Sequence, residues 1–271
     1  MRIFRTPGEI PSRTGTRGFV PTMGALHAGH LSLITAAKEE CDEVGVSIFV
    51  NPLQFGPHED FSKYPRQEER DLTLCEQAGA AWVFAPGPDF TRELRTTVSV
   101  KRLSERWEGK RRPGHFDGVA TIVSRLFGVT QPTVAYFGLK DYQQCRVIAA
   151  MVEDLAIPLR LRFCETIREP DGLAMSSRNA YLSEANREVA PWLNKVLVDI
   201  RTNSAKRDLK ELIEEGTRRL EEAGFEVDYL AVVDEVNLEP LESIMAGARS
   251  IVAAKLGSTW LIDNMEASFM P

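Results

Sequence analysis

Phe19-Val20-Pro21-Thr22-Met23-Gly24-Ala25-Leu26-His27-Ala28-Gly29-His30 runs from an apolar segment through a Pro/Gly turn into the start of a helix. Leu31, Leu33, Ile34 and Ala37 follow at helical spacing, which predicts a helix over Gly29 to Glu40 with His30 near its N-terminus. The nearly continuous apolar run Val44-Gly45-Val46-Ser47-Ile48-Phe49-Val50 comes next and reads as a strand buried on both faces, as in a parallel sheet. With Gly18 to Pro21 as the first strand, these pieces make one βαβ unit.

The pattern continues outward from that unit. A polar helix is expected from Gln67 to Ala78, a strand over Ala81 to Ala85, and a helix over Phe116 to Gly128 with the stripe Val119, Ile122, Val123, Leu126 and Phe127. A strand over Thr133 to Phe137, a helix over Tyr142 to Leu155 and a strand over Leu159 to Glu165 complete it. Such alternation implies a doubly wound α/β domain whose ligand crevice lies at the carboxyl ends of the strands. Residues 1 to 17 show no clear period and are expected to be an irregular lead-in.

After about residue 170 the pattern changes. Ser183 is placed to cap a helix carrying Val189, Leu193, Val196, Leu197 and Ile200, and Asp208 to Glu222 repeats the stripe at Leu209, Leu212, Ile213 and Leu220. The charges from Glu211 to Glu222 read as a solvated helix face. Strands are expected over Phe225 to Val233, Arg249 to Lys255 and Thr259 to Ile262. The domain expectation is therefore 1–170 for the α/β part and 171–271 for a smaller C-terminal α+β part.

With 271 residues, 43% of them hydrophobic, the chain has enough apolar material for a large core plus a smaller one. A net charge of -6 gives no global attraction to nucleic acid or to an anionic membrane. No run approaches the roughly 20 apolar residues that span a bilayer, and no signal core follows Met1, so a cytoplasmic protein is expected. Cys41, Cys75, Cys145 and Cys164 stand far apart without a Cys-x-x-Cys, which argues for reduced thiols over a zinc site or disulfides.

Two of the four histidines, His27 and His30, fall in the opening stretch. A His-x-x-His pair alone is more often incidental than functional. Here it sits where a strand end, a turn and a helix N-terminus bring backbone N–H groups and the positive end of a helix dipole together, which suits phosphate. Gly109-Lys110 lacks the earlier glycine of a Walker A loop, and no Gly-x-Gly-x-x-Gly occurs, so ordinary ATPase chemistry and hydride transfer lose support. A His-x-Gly-His turn at the end of the first strand is the arrangement of nucleotidyl-transferring and adenylate-forming enzymes.

Five segments in order give a closer resemblance: residues 21 to 30, Ser47-Ile48-Phe49-Val50-Asn51-Pro52-Leu53-Gln54-Phe55-Gly56, Tyr64-Pro65-Arg66, Tyr136 to Gln144, and Arg168 to Asn179. Together they resemble the pantoate–β-alanine ligases, or pantothenate synthetases, over about residues 18 to 185. The resemblance implies a Rossmann-like ATP- and pantoate-binding domain with a C-terminal lid domain. It also implies a two-step reaction: ATP and pantoate give pantoyl adenylate and pyrophosphate, and β-alanine then displaces AMP to give pantothenate.

Residue roles follow from the same resemblance. His27 and His30 stabilise charge on the leaving pyrophosphate. Pro21, Met23, His30, Gly138, Lys140, Asp141, Met175, Ser176, Ser177 and Arg178 bind ATP, with Lys140, Ser176, Ser177 and Arg178 also catalytic. Asn51, Gln54 and Gln144 take pantoate, Arg112 and His115 are candidates near β-alanine, and Asp71 matches an acidic position near the metal and phosphates. Magnesium is expected with ATP, and a homodimer is implied. Leu139 stands where relatives usually carry an acid. Two other readings remain: another nucleotidylyltransferase of the same superfamily, and a non-catalytic nucleotide-binding module.

Overall fold

The computed structural model describes residues 1–57, 59 and 61–267, which fall into two compact units. One comprises Met1–Leu139 with Gln143–Glu165; the other joins Lys140–Tyr142 to the chain from Thr166 onward.

The first unit is built on a six-stranded sheet in which every neighbouring pair is parallel. Its strands are β1 (Arg2–Phe4), β2 (Arg17–Thr22), β3 (Glu43–Ile48), β4 (Trp82–Phe84), β5 (Val134–Gly138) and β6 (Arg160–Cys164), in the order β1-β4-β3-β2-β5-β6. Helices α1 (Ala28–Glu40), α2 (Glu68–Ala78), α3 (Trp107–Arg111), α4 (His115–Thr130) and α5 (Tyr142–Asp154) connect them, the first residue of α5 belonging to the second unit.

Alternation along the strands assigns each side chain to one of two apolar layers. Phe19, Ala135 and Phe137 join Trp82, the α4 stripe and Cys145, Ile148 and Met151 of α5. Val20, Val134 and Tyr136 join Leu33, Ile34 and Ala37 of α1 and Cys75 of α2. Both faces of the sheet are thus covered, as the doubly wound expectation requires. The chain steps from β2 to β3 and β4 in one direction, then returns to the other side of β2 with β5. That reversal is the topological switch point, and in open α/β sheets ligands bind outside the carboxyl ends of the strands at such a point.

One sequence expectation needs correction in this unit, and one element was not anticipated. Residues 2–4 are not irregular: they pair in parallel with Trp82–Phe84 at the sheet edge. Three residues are too few to show a period, so the strand is visible only through its partner. Helix α3 likewise leaves no mark in the sequence pattern, because five residues give no apolar stripe.

The second unit carries the antiparallel sheet β7 (Phe225–Asp234), β8 (Ala248–Leu256) and β9 (Thr259–Glu266), in that order. Helices α6 (Glu184–Val189), α7 (Trp192–Asn203) and α8 (Leu209–Glu222) accompany it. Leu193, Val196, Leu197 and Ile200 of α7 and Leu212 and Leu220 of α8 close a core with Leu230, Val252 and Leu261. Ser183 caps its helix by accepting the Asn186 N–H, and Asp208 does the same for Glu211. The helix expected after Ser183 is two helices, because Pro191 offers no N–H to continue α6 and instead opens α7. Strand β9 runs to Glu266, past the expected end at Ile262. Among the described residues no helix is long and apolar enough to cross a membrane.

Candidate active site

The opening stretch leaves the sheet at Thr22, whose hydroxyl donates to the Ser47 carbonyl at 2.7 Å and accepts from the Gly24 N–H at 3.2 Å. Met23 to Leu26 form the turn, and His27 is the N-cap of α1. Its Nδ1 accepts the Gly29 N–H at 3.2 Å, and His30 Nδ1 accepts the His27 N–H at 3.4 Å. A backbone N–H is only a donor, so each neutral ring carries its hydrogen on Nε2. The ring centroids lie 4.2 Å apart. The chain therefore brings together two imidazoles whose outer nitrogens are both donors, at a helix N-terminus. Gly29 permits this packing: a Cβ there would lie 2.9 Å from His27 Cε1.

Asp71, in the first turn of α2, is 1% exposed and holds that turn. Its Oδ2 accepts the Ala25 N–H and its Oδ1 the Leu26 N–H, each at 2.8 Å. Ala25 sits at φ 51°, a left-handed conformation that costs a non-glycine residue about 1 kcal/mol or more and persists only where the surroundings impose it. The carboxylate is thus committed to backbone donors, with no second acid beside it in any metal-holding group among the described residues. Direct magnesium ligation by Asp71 does not fit this geometry. Burial and the Asp71 charge push the neighbouring Cys75 thiol up to about 12, so this cysteine is inert. We expect Asp71→Asn, which keeps one acceptor and turns the other into a donor facing an N–H, to cost about 2 kcal/mol in urea unfolding. Loss of turnover should accompany it.

After β3, Asn51 and Gln54 bracket a 3-10 turn over Pro52–Gln54. Asn51 is 1% exposed; its Oδ1 accepts the Leu53 N–H at 3.2 Å, and its Nδ2 donates to Gln54 Oε1 and to the Gly118 carbonyl, both at 3.1 Å. Gln54 Nε2 contacts Met23 Sδ at 3.0 Å. Asn51 is therefore spent on holding the turn and the Gln54 amide. The side chain of Gln144, half-buried in the first turn of α5, makes no hydrogen bond to the described residues. Its neighbour Gln143 donates to the Leu103 and Arg106 carbonyls and accepts the Glu108 N–H, tying α3 to α5.

Arg112 and His115 are bound within the protein. Arg112 grips Glu59 through Nε at 2.7 Å and Nη2 at 2.6 Å, and Nη2 also donates to the Gln54 carbonyl. Burial works against the Glu59 carboxylate, and the Arg112 hydrogen bond and charge outweigh it, holding its pKa below the usual glutamate range. His115 Nδ1 lies 2.8 Å from the Gln54 carbonyl and Nε2 lies 3.1 Å from Arg112 Nη1. A carbonyl only accepts and a guanidinium only donates, so His115 is neutral with its hydrogen on Nδ1. The pair supports the Gln54 backbone, and capture of a substrate carboxylate by Arg112 would require Glu59 to leave. Sequence reasoning missed Glu59, whose polar loop has no periodicity to mark it.

In the second unit, the Lys140 ammonium lies 3.7 Å from Asp141 Oδ1, the lysine side chain 19% and the aspartate 51% exposed. An ion pair this open is worth little. Met175 is set by its N–H on the Ile167 carbonyl at 3.0 Å. Ser176 caps the 3-10 turn Ser177–Tyr181 by accepting the Arg178 N–H at 3.2 Å, which leaves Ser176 to Arg178 partly exposed on a short, fixed turn.

A doubly wound parallel sheet, with a paired-histidine helix start at its switch strand and neither dinucleotide nor Walker glycines, defines an α/β protein of the His-x-Gly-His nucleotide-handling class. The family model described as pantoate-beta-alanine ligase matches residues 5–266, and the chain belongs to that family. It is 48% identical to a pantothenate synthetase of Thermus thermophilus, with 98% of this chain and 99% of the relative covered. A relative of the same name from Acidiphilium cryptum is 49% identical over 91% of the chain and 90% of its own length. The crystal structure of a pantothenate synthetase from Thermus thermophilus superposes with a TM-score of 0.95 at 46% identity, covering 99% of this chain and 100% of that one. A pantoate-beta-alanine ligase from Francisella tularensis, complexed with beta-gamma ATP and beta-alanine, does so at 0.83 with 33% identity and 98% coverage of each chain.

Proposed function

We propose that this protein condenses pantoate with β-alanine in an ATP-dependent reaction, giving pantothenate, AMP and pyrophosphate. The observation that carries this reading is the family match across residues 5–266, with the motif histidines held as a donor pair. In the first step a pantoate carboxylate oxygen attacks the α-phosphorus of ATP and the bond to the β-phosphate oxygen breaks. The electron pair leaves on pyrophosphate. The Nε2–H groups of His27 and His30, with the α1 N-terminus, meet that developing charge. In the second step the β-alanine nitrogen attacks the acyl carbon, the carbon–oxygen bond to AMP breaks, and the nitrogen loses a proton to solvent.

Gln54 and Gln144 are assigned to the polar groups of pantoate, Asn51 acting by holding Gln54. Pro21, Met23 and Gly138 border the nucleotide. Lys140, Ser176, Ser177 and Arg178 are assigned to the ATP phosphates, Asp141 to the ribose and Met175 to the nucleotide, with residues 171–271 acting as a lid domain. Magnesium would enter on ATP, neutralising phosphate charge while held by phosphate oxygens and water. We extend the same reading to a cytoplasmic homodimer with small-molecule partners only.

Incubation with ATP, magnesium, pantoate and β-alanine is expected to give AMP in a one-to-one ratio with pantothenate. ADP, or no amide product, would overturn the assignment. A stable nucleotide-linked product formed without any amine would move it to a nucleotidylyltransferase.

A further inference from the structure

The apolar pattern of strand β9 ends at Ile262, yet the strand continues through two polar residues that are almost fully buried, Asp263 at 4% and Asn264 at 5% exposure. Buried polar side chains are retained where they have partners, so their partners are informative. Asp263 forms a two-point ion pair with Arg168, at 2.6 and 2.9 Å, and Arg168 also donates to the Gly172 carbonyl at 3.0 Å. Arg168 pairs with Ala174 across an isolated antiparallel bridge. This clamps the base of the loop that leads directly into Met175-Ser176-Ser177-Arg178.

Asn264 works on the other segment. Its Nδ2 donates to the Lys140 carbonyl at 2.9 Å, and its Oδ1 accepts Arg249 Nη1 at 2.8 Å. The Arg249 guanidinium lies over the Tyr142 ring, 4.2 Å from its centroid, and Tyr142 donates its hydroxyl to the Glu235 carbonyl at 2.8 Å. The Lys140–Tyr142 turn is thereby packed into the second unit although β5, just before it, belongs to the first. Successive strand residues face opposite sides of a sheet. Asp263 pairs across from Val252 of the apolar core and Asn264 across from Ile251, so one strand grips two loops from its two faces.

We propose that Asn264 is a positioning residue for the adenylation step, setting the Lys140 backbone, while the adjacent Asp263 sets the loop carrying Ser176, Ser177 and Arg178. This rests on the phosphate roles proposed above for those residues. Both loops hang from neighbouring positions of one hydrogen-bonded strand, so their separation is fixed by the sheet and not by loop flexibility. Preorganised donors of this kind matter most where charge develops, on the β- and γ-phosphates. Pantoyl adenylate retains only the α-phosphate, so the second step depends less on the Lys140 position.

The test separates the two half-reactions. Asn264→Asp keeps the acceptor for Arg249 and removes the donor to the Lys140 carbonyl. It is expected to slow pyrophosphate release from ATP and pantoate by about 10- to 100-fold. Amide formation from synthetic pantoyl adenylate and β-alanine should change less than about 3-fold, since the α-phosphate alone remains to be held. Combined with Lys140→Met it should add little, as expected for residues acting as a unit. Asn264→Ser, which is too short to reach the carbonyl, gives the same readout if the aspartate variant fails to fold. An unchanged first half-reaction in a folded variant, equal losses in both halves, or full additivity with Lys140→Met would overturn the proposal. Absence of pyrophosphate release by the unaltered protein would instead overturn the ligase reading itself.

Discussion

His30→Ala is expected to lower turnover by about 10²- to 10³-fold at saturating ATP, pantoate and β-alanine, because one preorganised donor aimed at developing charge is worth about 3 kcal/mol. Its binding of a non-hydrolysable ATP analogue, followed by calorimetry, should change far less, since the donor acts mainly on charge that appears as pyrophosphate leaves. His27→Ala should show the same kinetic loss with an additional penalty. His27 is also the N-cap of α1, accepting the Gly29 N–H, and losing a cap costs about 1 kcal/mol. His27→Asn separates the two roles: its amide oxygen caps the helix, so stability returns, while the imidazole Nε2–H is gone and turnover stays low. Wild-type turnover in both alanine variants would refute the donor-pair mechanism.

Gly118→Ala is the second large effect. The turn Pro52–Gln54 lies directly on α4: a Cβ at Gly118 would meet the Leu53 carbonyl oxygen at 2.2 Å, its carbon at 2.4 Å and the Gln54 nitrogen at 2.6 Å. Both sides are backbone, so no side-chain rotation relieves the overlap, and the Asn51 hydrogen bond to the Gly118 carbonyl would stretch as the helix backs away. A loss of about 3 kcal/mol in urea unfolding is expected, the upper end for overpacking. Displacing Gln54 should also raise the KM for pantoate while leaving that for ATP nearly unchanged. Gly128→Ala on the same helix is the control. Nothing lies within 4 Å of a Cβ there, and replacing a helical glycine should stabilise by about 0.5–1 kcal/mol. Equal stability of the two variants would show that the contact with the turn carries no weight.

Much of the first unit was legible because its strands are buried on both faces. The apolar run Val44 to Val50 reads as a strand buried on both faces, Thr133 to Phe137 reads as a further strand, and the α4 stripe marks the helix face that enters the core. Elements without a periodic signal escaped: the edge strand Arg2–Phe4, the short α3 and the break at Pro191. At the candidate site, residue types announced chemistry but not its allocation. Asp71 reads as a metal ligand until its oxygens are found on the Ala25 and Leu26 N–H groups. Arg112 reads as a carboxylate trap until Glu59, 53 residues away, is found already filling it.

The sequence by itself determined the parallel α/β architecture, a helix beginning near Gly29 and His30, and the family, because apolar periodicity, turn residues and ordered motifs are local properties of the chain. Only the tertiary structure decided which polar groups are occupied. A polar side chain has the same letter whether it meets a ligand or a distant partner, and Asp71 accepts from Leu26, Arg112 donates to Glu59 and Asn264 donates to Lys140, each far away along the chain. The motif histidines His27 and His30 are named by the sequence, and the contacts that hold their turn in place are given by the structure.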